Sequence, residues 1–127
     1  MKENEADIEL TKEVTTLFIY RNRVIKDTTK KVHIVDVPGH QRLRSHLRDY
    51  LPIAAGIVFV VDAVEVENQL RLTAEYLFDL FTDKKINSSQ LPFLIACNKN
   101  DILTSKSPSQ VKSLLEKEMY LLIENLY

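Results

Sequence analysis

Two short polar clusters sit directly behind apolar runs, in positions where they could do chemistry. Asp36-Val37-Pro38-Gly39-His40 follows VHIV, and Asn98-Lys99-Asn100-Asp101 follows PFLIAC. The first cluster has the form D-x-x-G. An aspartate at a strand end can hold Mg2+ through a bound water, and a glycine leaves its backbone N–H free to approach a terminal phosphate. A plain strand-to-helix turn uses Asp and Gly at the same spacing, so the motif alone leaves both readings open. The second cluster has the form N-K-x-D. The carboxylate of Asp101 can accept hydrogen bonds from the N1–H and the 2-amino group of guanine. Asn98 can order the loop and reach the base, and the Lys99 stem can pack along the ring plane. Adenine lacks the 2-amino donor, so the aspartate would select guanine. Polar loops rich in Asn and Asp are common, but the two motifs together, each behind an apolar strand, form a far more specific signal than either alone.

The elements that must position these loops are legible from hydrophobic periodicity. TTLFIY within residues 14–24 is β-prone, residues 26–31 read as a polar turn, and residues 32–35 as the second strand of a hairpin ending at Asp36. Pro38 and Gly39 predict a loop over residues 36–40. Leu43 and Leu47 predict a short amphipathic helix over 41–50, stopped by Pro52. AAGIVFVV, ending at Asp62, and PFLIAC are apolar at every position, which predicts strands covered by helices in a parallel sheet. Between them, Leu70, Ala74, Leu77, Phe78 and Phe81 predict a helix over 65–81, and residues 86–90 a loop. Ser107 as N-cap, Pro108 in the first turn and the stripe Val111, Leu114, Leu115, Met119 and Leu122 predict a final helix over 108–127. Buried strands alternating with helices give a doubly wound, mostly parallel α/β sheet.

Composition narrows the function classes. The 127 residues suit one domain, and 45% hydrophobic with 28% charged is the balance of an ordinary globular chain. A net charge of −1 gives no basic field for direct nucleic-acid binding. The single cysteine, Cys97, excludes a disulfide framework. No stretch reaches the roughly 18–20 apolar residues that span a bilayer. Residues 1–12 are polar and expected to lie outside the folded unit, with 13–127 forming the central part of the domain. Only two glycines occur, Gly39 and Gly56, so each is expected to mark a position where backbone geometry matters.

DVPGHQRLR, AAGIVFVVDA and PFLIACNKND together resemble the β-subunit family of the signal recognition particle receptor, Ras-like GTPases related to the ADP-ribosylation-factor and Sar groups. The resemblance implies a partial Ras-like P-loop GTPase fold, its sheet expected to lack the family's first and last strands, with GTP or GDP and Mg2+ bound by the complete domain. It would put Asp36 in the metal and γ-phosphate region, Gly39 at the γ-phosphate, and Asn98, Lys99 and Asp101 around guanine. His40 stands where many relatives carry a water-orienting Gln or His, and a helix-capping histidine is the competing reading. Thr15 or Thr16 would be the switch threonine that meets Mg2+, or an ordinary strand residue. His33 and His46 read as structural. The resemblance also implies the receptor α subunit as partner, through segments around residues 14–20 and 36–50 that include Arg42, Arg44 and Arg48. Through that partner it implies the ribosome–nascent chain complex and the translocon, at the cytosolic face of the endoplasmic reticulum membrane. ADP-ribosylation-factor and Sar relatives usually carry Gly-Gly-Gln after the Asp, where this chain has Pro-Gly-His. A trafficking GTPase of that type and a nucleotide-free interaction module are the alternatives.

One departure from the family pattern bears on both folding and activity. G-x-x-x-x-G-K-[ST] does not occur in this sequence. The family's first strand, which precedes that loop, lies in mid-sheet between the D-x-x-G strand and the strand that follows it. The strands read at residues 32–35 and 54–61 are therefore expected to lose a neighbour. Each buried unpaired backbone group costs roughly 1–3 kcal/mol against a domain stability of about 5–15 kcal/mol. The chain is accordingly expected to be unstable or rearranged, and without a phosphate loop these residues alone are expected to give no useful GTP binding or hydrolysis.

Overall fold

The computed structural model describes residues 15–21, 32–39, 45 and 47–126. The elements are β1 (Thr15–Arg21), β2 (Val32–Pro38), α1 (Leu47–Tyr50), a 3-10 turn (Leu51–Ile53), β3 (Gly56–Asp62), α2 (Leu70–Thr82), α3 (Lys84–Ser89), β4 (Phe93–Asn98) and α4 (Pro108–Glu124). Residues 1–12, the turn at 26–31, His40, Arg42, Leu43, Arg44 and His46 lie outside the described residues.

The four strands form one sheet in the order β2-β1-β3-β4. β1 pairs antiparallel with both β2 and β3, and β3 pairs parallel with β4. Hence β2, β3 and β4 run in one direction and β1 runs against them. The sheet has no gap where one was expected, because β1 occupies the place between the D-x-x-G strand and β3. Ladder hydrogen bonds depend on the backbone and not on side-chain identity, so a β-prone segment can satisfy N–H and C=O groups that would otherwise stay unpaired. The expected rearrangement therefore takes a definite form, in which β2 becomes an edge strand.

The helices cover one face. Ile57, Phe59 and Val61 of β3 form one buried cluster with Ala74, Tyr76, Leu77 and Leu80 of α2 and Val111 and Leu115 of α4. Phe59 meets Tyr76 edge-on at 5.4 Å and stacks on Phe93 at 6.3 Å. Along the opposite face Val58 is half-buried and Leu94 is 59% exposed, so among the described residues this part of the molecule carries one cover layer.

Several local expectations are corrected. β2 runs through Asp36, Val37 and Pro38, so the loop begins only after Pro38. A proline is tolerated there because β2 is an edge strand. Residues 86–90, read as a loop, largely belong to α3: the Asp83 carboxylate accepts from the Lys85 amide at 2.8 Å and caps it, and Ile86 is buried in the core. The helix expected over 65–81 starts later, at Leu70, after a turn. Gly56 does not need to be glycine on conformational grounds. No described glycine has positive φ, and a Cβ at position 56 would meet the Pro92 carbonyl at an ordinary 3.5 Å. α4 begins as read: Ser107 Oγ accepts from the Gln110 amide at 3.3 Å, and the Gln110 side chain accepts from the Ser107 amide at 2.8 Å.

Candidate functional site

Because β2, β3 and β4 point the same way, their carboxyl ends share one rim of the sheet, joined there by the amino end of β1. Register places Pro38, Thr15, Val60 and Ala96 in one row across the sheet. Gly39 thus leaves β2 at the same rim where Asp62 ends β3 and Asn98 ends β4. The two motif loops are separated by three strand spacings, roughly 14 Å at about 4.8 Å per strand. Thr15 and Thr16 begin β1 at this rim, their backbones paired with Pro38 and Val37 on one side and Val60 and Phe59 on the other. Rim position does not separate the two threonines.

The loop after β4 is the more highly built. Asn98 is half-buried in register with Asp62. Lys99 takes φ 66°, one of two non-glycine residues with positive φ among those described. That left-handed conformation costs an L-residue about 1–2 kcal/mol and persists only where the surroundings over-determine it. Three contacts do so. The Asn98 carbonyl accepts from the Ala63 amide at 3.1 Å, the Lys99 carbonyl accepts from the Ile102 amide at 3.1 Å, and the Lys99 ammonium donates to Asp62 Oδ2. At the far end of the loop the Lys106 amide returns to the Ala63 carbonyl at 2.8 Å, and its ammonium pairs with Glu67 at 3.1 Å. Asp101 is exposed at the turn.

Asp62 went unread as a site residue in the sequence, where it serves only as the polar end of an apolar run. Its Oδ1 accepts from the amides of Val64 at 2.9 Å and Glu65 at 3.1 Å, while Oδ2 takes Lys99. Burial opposes ionisation of this carboxyl. The hydrogen bonds from Lys99, Val64 and Glu65 and the charge of Lys99 outweigh it and hold the group below the usual carboxylate range. An aspartate ending a buried strand beside a parallel strand that ends in N-K is the signal that could have found it.

Asp36 stands differently. It lies inside β2, opposite Leu17 of β1, on the face away from the buried Val37. It is exposed, yet the neighbouring chain excludes enough water to push its carboxyl above the ordinary value. Gly39 is half-buried. Arg48 is exposed on α1. His33 lies on β2. Among the described residues no group of three or more His, Cys, Asp or Glu side chains could hold a metal by itself, and no helix is long and apolar enough to cross a membrane.

A partly parallel sheet with two polar motifs on its carboxyl rim defines a partial Ras-like GTPase fold. A solved structure described as "The Structure of the Mammalian SRP Receptor" superposes on it with a TM-score of 0.62 and 32% identity, covering 85% of this chain and 57% of that one. The family profile "Signal recognition particle receptor beta subunit" covers residues 6–126, and this chain belongs to that family. It is 39% identical over 98 residues to the signal recognition particle receptor subunit beta of Saccharomyces cerevisiae, an alignment spanning 73% of this chain and 40% of that protein. It is also 38% identical over 88 residues to human ADP-ribosylation factor-like protein 4A, spanning 68% of this chain and 42% of that protein. The chain thus spans well under half the length of these curated relatives.

Proposed function

We propose that this chain is the guanine-reading and partner-facing part of a GTP-binding regulatory subunit of the signal recognition particle receptor, acting in co-translational targeting at the endoplasmic reticulum. The observation that carries the reading is the common rim of the Asp36–Gly39 and Asn98–Asp101 motifs, with the second loop held in a strained, multiply tied conformation. On this reading Asp101 accepts from the guanine edge, Lys99 lies along the base and Asn98 orders the loop. Asp36 and Gly39 face the phosphate end, where Mg2+ would be shared with phosphate oxygens. Such sharing is usual for Mg2+, which binds through one or two carboxylates plus substrate phosphates. His40 and one of Thr15 or Thr16 would complete that end. GTP hydrolysis needs a phosphate cradle that these residues do not supply.

The partner proposed is the receptor α subunit, with Arg48 among the residues that meet it and the ribosome–nascent chain complex and translocon reached indirectly. Affinity capture with the tagged chain from a detergent extract of endoplasmic reticulum tests this. Retention of the α subunit is expected, and recovery of coat proteins in its place would move the chain to the ADP-ribosylation-factor or Sar role. Calorimetric titration with GTP is expected to show no affinity in the micromolar range or tighter. Binding at that level would mean the phosphate contacts come from residues other than those assigned.

A further inference from the structure

We infer that Asp62 is the positioning residue of the N-K-x-D loop, holding it through Lys99 in the conformation that meets the base; the inference rests on the guanine reading above. Three observations converge on Asp62. It lies in parallel register with Asn98, the first residue of the loop. Both its oxygens are committed, Oδ1 to the turn amides of Val64 and Glu65 and Oδ2 to Lys99, and its side chain is only 10% exposed. The next residue, Ala63, ties both ends of the loop, donating to the Asn98 carbonyl and accepting from the Lys106 amide. The Asp62–Ala63 corner is therefore the fixed point against which the loop is built.

The chemistry explains why a carboxylate is wanted there. Lys99 must hold a backbone conformation that lysine disfavours, and its long side chain loses rotamer freedom if it is to lie along a ring. Fixing the ammonium at Asp62 meets both demands. It draws the methylene stem along the rim, and it settles the entropy cost before any base arrives, which is the general benefit of preorganisation. Asp101 then depends on Asp62 indirectly, because its position follows from the turn that Lys99 begins.

The test separates this role from general stability. Asp62→Asn keeps an acceptor for the Val64 and Glu65 amides but removes the charge that holds Lys99. In the full chain, amide hydrogen exchange followed by NMR is expected to speed up about tenfold at Ile102, whose amide donates to the Lys99 carbonyl, with β3 and α4 protection unchanged. In a Lys99→Met background, Asp62→Asn is expected to add nothing at the Ile102 amide. Unchanged exchange in Asp62→Asn, or an equal effect with and without Lys99, overturns the inference. Guanosine at millimolar concentration is the second probe. It is expected to shift the signals of residues 98–101 in the wild-type chain, more weakly in Asp62→Asn, while adenosine leaves them in place. Equal guanosine affinity in the variant would overturn the inference with the guanine reading intact. A wild-type chain blind to guanosine would remove the guanine reading, and the exchange cycle would still decide the Asp62–Lys99 tether.

Discussion

The two motif loops share a rim but are supported in opposite ways. The Asn98–Asp101 loop leaves β4, which pairs in parallel with β3, and is tied to the Asp62–Ala63 corner by backbone and side-chain bonds. The Asp36–Gly39 motif leaves an edge strand, and its aspartate is exposed. Beneath the first lie Phe59, Val61, Tyr76 and Leu77, all buried, whereas β2 contributes Val37 to the buried core and exposes Ile34. One half of the candidate site is therefore set by the core, while the other depends on whatever lies beside β2. The Asn98–Asp101 loop is thus preformed in this chain, whereas the Asp36–Gly39 end rests on the edge strand β2.

Substitutions test this contrast. The largest effect is expected from Phe59→Ala, which empties the aromatic cluster with Tyr76 and Phe93 and should cost about 3–5 kcal/mol in urea unfolding. Ile34→Ala on β2 should stay within about 0.5 kcal/mol in the same assay, and equal costs would erase the contrast. Next comes Asp62→Ala, which strands two turn amides and the Lys99 ammonium and should cost about 1–3 kcal/mol.

The pH dependence of these two carboxylates should differ in sign. The folded state holds Asp62 below its ordinary value, so its stabilisation is present above the unfolded aspartate value of about 3.9. It is lost as pH falls from there through the folded value. Stability measured against pH should therefore fall less steeply below about pH 4 in Asp62→Asn than in the wild type. Asp36 is held above its ordinary value, so ionising it weighs against the fold as pH rises through that range. The smallest effect is therefore expected for Asp36→Asn, a change within about 0.5 kcal/mol at neutral pH whose sign is neutral to stabilising. A clear loss of stability there would mean that β2 is held as firmly as β4.

Much of this was legible in the chain, and particular residues show why. The apolar runs of β3 and β4 and the capping box at Ser107 are local patterns, and local patterns fix element type. The N-K-x-D and D-x-x-G motifs were readable because their chemistry lies in residue type and short spacing. α3 was missed because Asn87, Ser88 and Ser89 read as loop residues, and only the Asp83 cap with the burial of Ile86 turns them into a helix. Asp62 was missed because its partners, apart from two neighbouring amides, lie 37 positions away at Lys99.

Hydrophobic period and motif spacing are written along the chain, so the apolar strands β3 and β4, the capped helix α4 and the family were all readable before any folding. Tertiary structure alone decided that β1 enters the middle of the sheet, that β2 becomes its edge, and that Asp62 grips Lys99. Strand pairing is made by backbone groups that every residue but proline carries in full, so the ladder order is largely not spelled in side chains. It is settled by which arrangement leaves the fewest N–H and C=O groups unpaired.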